Sequence, residues 1–238
     1  MTDNGDDVLI DLHAARGSTA DTLDTIIEWA RHAVASTDAG IFLLRAKGKV
    51  ETAVPTSPQV VKSHDLQVEL DEGPCIEVVR NDTVNAFVIT DTATDGRFPR
   101  WGPAAADLGL VSVVSVVLDT RQKRFGSLNV YSREADAFDR HDLDVLEIFS
   151  RRAARALAVV EDNVGMTAAL DSRKLIGQAE GILMEHFDID EDHAFEFLLR
   201  QSQSENVKLR VIADQIVNRR GDTSLTYLNP DAPPEHRQ

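Results

Sequence analysis

Beyond Val164 the sequence offers no further strand. Before that point helical patterns alternate with short runs rich in β-branched residues, and after it apolar residues recur only in steps of three and four. A segment with a 3.6-residue period cannot lie as a strand without turning much of its apolar surface to water. The chain is therefore expected to be α+β, with a sheet-containing domain joined by a long helix to a smaller all-α module. At 238 residues it is long enough for both.

From about Thr19 to Ser36, the positions Leu23, Ile26, Ile27, Ala30, Ala33 and Val34 repeat at helical spacing, and "AGIFLLRAKGKVETAV" then reads as strand, Lys-Gly turn and strand. "VNAFVITD" and "LGLVSVVSVVLD" have strand composition, and "TRQKR" separates the latter from "FGSLNVYS" as an antiparallel hairpin would. An antiparallel sheet is expected. "DRHDLDVLEIFSRRAARALAVVEDNV" then starts a long helix, with Asp139 as its cap.

Composition narrows the class. No run approaches the roughly 20 apolar residues of a membrane span. The N-terminus "MTDNGDDVLIDLHAARG" is acidic where a signal peptide is basic, so a cytoplasmic protein without a membrane partner is expected. The single cysteine, Cys75, agrees with a reducing compartment. It has no local signature of a nucleophile, and a buried, inert thiol is the expected fate. His13, His32, His64, His141, His186, His193 and His236 are scattered, without the close pairing of a metal motif, and read as single surface histidines. No catalytic residue and no metal site is expected. The net charge of −15 repels nucleic acid at long range, so any such partner must be held locally.

The segments "LDEGPCIEVVRNDTV", "ITDTATDGRFPRW", "GLVSVVSVVL" with "FGSLNVYS", and "AFDRHDLDVLEIFSRRAARALA" resemble a GAF domain over about Thr19 to Val160. The resemblance implies a sensory module: a sheet covered by helices, with a pocket on one side for a small molecule. The ligand is unknown; nothing in the sequence selects a cofactor. The sulfoxide-reductase chemistry of a few such domains resembles a multi-cysteine site, and this chain has one cysteine.

Three helical patterns end the chain, at about Ala168 to Phe187, Glu191 to Gln203 and Val207 to Arg220, with Asp190 and Asn206 at N-cap positions and Gly221 as a C-terminal stop. "RKLIGQAEGILMEHFDIDEDHAFEFLLRQSQSENVKLRVIADQIV" is similar to the ANTAR domain of bacterial antitermination regulators. The match rests on Arg173, Ile176, Ala179, Gly181, Ile182, Leu183 and Met184, then Ala194, Phe195, Leu198 and Ser202, then Asn206, Lys208, Leu209 and Ala213. Where the family often has Lys between the Ala and Gly of its first helix, this chain has Glu180. The resemblance implies RNA as partner, in the form of tandem hairpins in nascent transcripts, with only an indirect association with RNA polymerase. Its matched positions Arg173, Gly181, Ser202, Asn206 and Lys208 are the expected RNA-binding surface, and Arg210 joins them because it lies with Lys208 in the first turn of the third helix, near the amide end that favours phosphate.

Two features of the helices need a reason. Gly177 and Gly181 each cost about 1 kcal/mol inside a helix relative to alanine. Ile176, Ala179, Leu183 and Phe187 share one stripe, whereas Arg173, Gly177, Gly181 and Met184 lie on another, so the glycines clear a strip for close approach or are tolerated at an exposed site. From Ala168 to Gly221 there are seven Lys and Arg against ten Asp and Glu, and the module is not basic as a whole. Earlier, Leu143, Leu146, Ser150, Ala153, Leu157, Val160 and Val164 alternate in steps of three and four. That is the seam of a homodimeric coiled coil, although its first half equally suits a helix packed on its own sheet. The expected organisation is an N-terminal segment (1–18), a GAF sensor (19–160), an ANTAR module (161–221) and a disordered tail (222–238).

Overall fold

The computed structural model describes residues 18–218. The expected N-terminal segment, apart from Ser18, the tail, Gly221 and the end of the last helix lie outside these residues. The contacts divide the chain into two units, one ending at Asp162 and the next beginning at Asn163.

The first unit opens with α1 (Thr19–Ala33), started by a reciprocal capping box between Ser18 and Asp21. β1 (Asp38–Leu44) and β2 (Val50–Ala53) follow, joined by a turn in which Lys47 and Gly48 both adopt positive φ, as the Lys-Gly reading requires. Helices α2 (Pro58–Leu70) and α3 (Pro74–Arg80) each begin with proline in the first turn, where no backbone donor is lost. Neither helix was marked by the sequence pattern. β3 (Ala86–Ile89), α4 (Trp101–Asp107), β4 (Ser112–Asp119) and β5 (Arg124–Ser132) complete the sheet. Its order is β2-β1-β5-β4-β3, and every pairing is antiparallel.

The two faces of this sheet differ. Ala39, Ile41 and Leu43 of β1, Val114, Val116 and Leu118 of β4, and Leu128 and Val130 of β5 form an apolar face, packed by α1 and by the long helix α5 (Arg140–Phe187). Trp29 of α1 stacks on Phe149 of α5 with ring centroids 3.6 Å apart. α5 starts at the predicted cap: the Asp142 amide donates to Asp139 Oδ1 (3.0 Å) and the Asp139 amide to Asp142 Oδ2 (2.9 Å).

The expected seam is here corrected. Leu146, Ala153, Leu157 and Val160 are buried, the first three within the domain's own apolar core, with Leu143 packed against it. Ser150 is buried as well, and of the stripe only Val164 is exposed. Over Leu143 to Val160 the pattern reflects a helix covering its own sheet, so those side chains are not free for a second chain.

α5 continues without interruption through Gly165, and its last part, with α6 (Glu191–Glu205) and α7 (Leu209–Asn218), forms the second unit. Its core gathers Ala179 and Leu183, Ala194, Phe197 and Leu198, and Ile212, Ala213 and Ile216. Asp190 caps α6 as expected, accepting from the His193 amide at 2.9 Å. Asn206 departs from expectation: with φ 53° it is the left-handed C-cap of α6 rather than the N-cap of the next helix. The first hydrogen bond of α7 is accepted by Lys208, from the Val211 amide at 2.8 Å.

Two glycines illustrate opposite constraints. Gly126 in β5 has φ 153°, and a Cβ there would lie 2.0 Å from the Phe42 carbonyl oxygen of β1; at Gly181 a Cβ would meet nothing within 4 Å. Gly126→Ala is expected to lower stability by roughly 2–4 kcal/mol. Gly181→Ala is expected to raise it by up to about 1 kcal/mol. Urea unfolding of the two variants checks this pair of opposite signs.

Candidate functional site

The second face of the sheet, under α2 and α3, carries polar residues in its middle. Ser115 pairs with Asn129 across β4 and β5, Val117 with Ser127, and Asn129 with Gly40 of β1; Ser115, Ser127 and Asn129 are all fully buried. Above them α2 supplies His64 and Gln67, also fully buried. His64 Nε2 lies 3.0 Å from the Tyr131 hydroxyl and 3.5 Å from Asn129 Nδ2, and its Nδ1 lies 3.0 Å from the Thr52 hydroxyl.

Cys75, at the start of α3, joins the same cluster. Gln67 reaches across to accept from its backbone amide (2.8 Å) and to donate to its sulfur (3.0 Å), and the thiol lies 3.5 Å from Tyr131 Oη and 3.6 Å from Ser115 Oγ. Gly73 makes room for this approach: its φ is 141°, and a Cβ would lie 2.3 Å from Gln67 Cγ.

The electrostatics are those of a neutral site. Burial alone pushes the His64 imidazole down to about 3, so it is uncharged at neutral pH. Burial likewise raises the Cys75 thiol and holds the Tyr131 phenol protonated. The thiol is buried, as read from the sequence; His64, read as a surface residue, is buried too. His32, His141, His186 and His193 are exposed. Among the described residues no three His, Cys, Asp or Glu side chains converge as metal ligands.

Two oxygens of the cluster, Ser127 Oγ and Asn129 Oδ1, are buried without a hydrogen-bond partner. Each unmet group costs about 1–3 kcal/mol, which a water or a polar ligand would recover. Sequence reasoning passed over this site. Its trace was the polar residues set among β-branched ones in "SVVSVVLD" and "FGSLNVYS", in strands covered on both faces.

In the helical unit Arg173, Gly181, Asn206, Lys208 and Arg210 are exposed. Lys208 and Arg210 flank the N-terminus of α7, whose first amides have no intrahelical acceptor and favour anions. Ser202 is committed to the joint between α6 and α7, where its hydroxyl donates to the Val207 carbonyl at 2.5 Å and its carbonyl accepts from the Val207 amide. Nothing lies within 4 Å of a Cβ built on Gly181, whereas Glu180 lies beside Gly177, its Oε2 3.9 Å from a Cβ built there. Partial burial, and then Glu191, raise its carboxyl above the ordinary value.

Family models match both units. A family model described as GAF domain matches residues 17–158, and one described as ANTAR domain matches residues 165–217. Among solved structures the chain is similar to the GAF domain of an Acinetobacter phosphoenolpyruvate-protein phosphotransferase, with 17% identity, a TM-score of 0.51, and coverage of 69% of this chain and 99% of that one. It is similar to free methionine-R-sulfoxide reductase from Neisseria meningitidis, with 14% identity, a TM-score of 0.52, and coverage of 66% and 87%. It is also similar to bacteriophytochrome RpBphP3 of R. palustris, with 8% identity, a TM-score of 0.55 and coverage of 75% of this chain but 41% of that one. Such identities carry the fold alone. No curated protein matches the chain.

The buried imidazole has a pH signature. Its folded value, about 3, lies below its ordinary 6.5, so the unfolded chain binds the proton first. The stability that follows is complete above 6.5 and is lost as pH falls from 6.5 towards 3. Between pH 7 and pH 5 the loss from this residue is about 2 kcal/mol. His64→Gln is expected to lose less on acidification by about that amount, as read by urea unfolding at the two pH values. Equal losses in both proteins would mean that His64 takes up its proton in the folded state.

Proposed function

Because the chain belongs to the GAF domain family and continues into an ANTAR domain, we propose that it is a cytoplasmic, signal-responsive regulator rather than an enzyme. In this reading residues 161–221 bind paired RNA hairpins in a nascent transcript and prevent termination, and residues 19–160 sense the signal. Hairpin loops suit such recognition because their bases are unstacked and open at the edges. The reading rests on the match over 165–217 together with the way the helices divide the matched positions. Ala179, Leu183, Ala194, Leu198 and Ala213 fill the core, while Arg173, Lys208 and Arg210 stand in solvent.

Arg173→Ala, Lys208→Ala and Arg210→Ala are each expected to weaken binding to a two-hairpin RNA by roughly tenfold while leaving the melting temperature unchanged. Glu180→Lys is expected to tighten it and to steepen its salt dependence by about one counterion. Electrophoretic binding at two salt concentrations reads both effects, and indifference to all four substitutions would refute the surface. Glu180 and the acidic balance of the module favour one rival, a dimeric protein-interaction regulator with little RNA affinity. That reading requires the wild type to leave the RNA unshifted at low salt.

A homodimer is part of the proposal, on a different face of α5 from the one first read. At 100° per residue Ile148 and Val159, both in the first unit, fall within about 20° of one line, and both are more than half exposed. An apolar notch of about 150 Å³, walled by Trp29, Val145 and Phe149, adjoins Ile148. Ile148→Asp with Val159→Asp is expected to give a folded monomer, whereas Leu157→Asp is expected to unfold the first unit. Sedimentation velocity with circular dichroism separates the two results, and a monomeric wild type at tens of micromolar, a typical range for domain-sized dimers, would overturn the stripe.

A further inference from the structure

A second concavity lies in the first unit on the side of α5, away from the buried polar cluster. It is a groove of about 780 Å³ between the turn joining β4 to β5 and the outer face of α5. Three guanidinium groups line it: Arg121 from the turn, and Arg151 and Arg155 from successive turns of the helix. Two carboxylates also face it, and both have cations of their own. Asp119 is within 3.9 Å of Arg124, and Glu147 is within 3.7 Å of Arg151. Among the described residues Arg121 and Arg155 enter no hydrogen bond or ion pair.

In a chain of net charge −15, two uncompensated guanidinium groups facing one concavity are unusual, because carboxylates are plentiful. Planar guanidinium groups recognise phosphate oxygens through paired hydrogen bonds. The volume exceeds what one phosphate fills and lies in the range of small-molecule pockets. Asn85, also in the lining, adds a polar group of the kind that meets a sugar or an amide, whereas the Thr120 hydroxyl is already bonded within the turn.

We propose that this groove binds a small phosphorylated molecule with two adjacent phosphoryl groups, of about nucleoside-diphosphate size, held by Arg121 and Arg155 with Arg151 in support. Such a ligand ties the β4–β5 turn to α5, since it bonds to cations on both. The site is separate from the neutral cluster around His64, which has no charged side chain for an anion, and it does not depend on the RNA-binding reading.

Calorimetric titration of the full chain with inorganic pyrophosphate and with ADP, at about 0.15 M salt, tests it. Both are expected to bind once per chain, with adenosine and sulfate silent. The double variant Arg121→Gln/Arg155→Gln is expected to lose affinity at least tenfold, each lost charge-assisted bond contributing about that factor. Its unliganded melting temperature is expected to stay unchanged, since neither side chain has a partner to lose. Glu147→Gln, which releases Arg151, is expected to tighten binding severalfold. The proposal is overturned if pyrophosphate and ADP give no heat, if the double variant binds them as well as the wild type does, or if sulfate binds equally.

Discussion

The apolar face of the sheet has to be covered, and much of the chain's organisation follows from the helix that covers it. Leu146, Phe149, Ala153 and Leu157 of α5 lie against Val114, Val116, Leu128 and Val130, and each large side chain removed from water contributes about 1.5–3 kcal/mol. Committing that stripe to the core sets the rotation of α5 about its axis. Ile148 and Val159 must then face outward, and Arg151 and Arg155 flank the groove by the β4–β5 turn. The reciprocal Asp139 and Asp142 hydrogen bonds fix where the helix begins and hence which residues meet the sheet.

The other face follows a different logic. A sheet buried on both sides would ordinarily be apolar on both, yet here Ser115, Ser127 and Asn129 sit under His64, Gln67 and Cys75. Such a cluster is tolerated because its members pair with one another and none carries charge at neutral pH. The two oxygens left over mark where the pairing is incomplete.

In the helical unit the same trade is made on the surface. Gly177 and Gly181 lower the intrinsic stability of α5 without relieving any crowding in the core, since neither is near it. Ala179 and Leu183 supply the packing on the opposite side of the helix. The space beside the glycines is open except for the Glu180 carboxylate, so the strip is free of bulk although not of negative charge.

Much of this was legible in the sequence. The hairpins, the antiparallel sheet, the Asp139 and Asp190 caps and the order of the two units follow from periodicity and turn chemistry, which act between residues close along the chain. The family resemblances added the GAF and ANTAR identities that spacing alone leaves open. What the sequence left undecided was which partner each apolar or polar face meets. A stripe in steps of three and four serves a coiled coil and a sheet-covering helix equally, and only the fold showed that Leu146, Ala153 and Leu157 were already occupied. One-letter patterns treat a histidine alike in solvent or in a core, and only the packing of α2 on the sheet put His64 beside Tyr131 and Asn129. Local order is written in neighbouring residues; burial and charge state depend on contacts between residues far apart in the chain, and those exist only once it has folded.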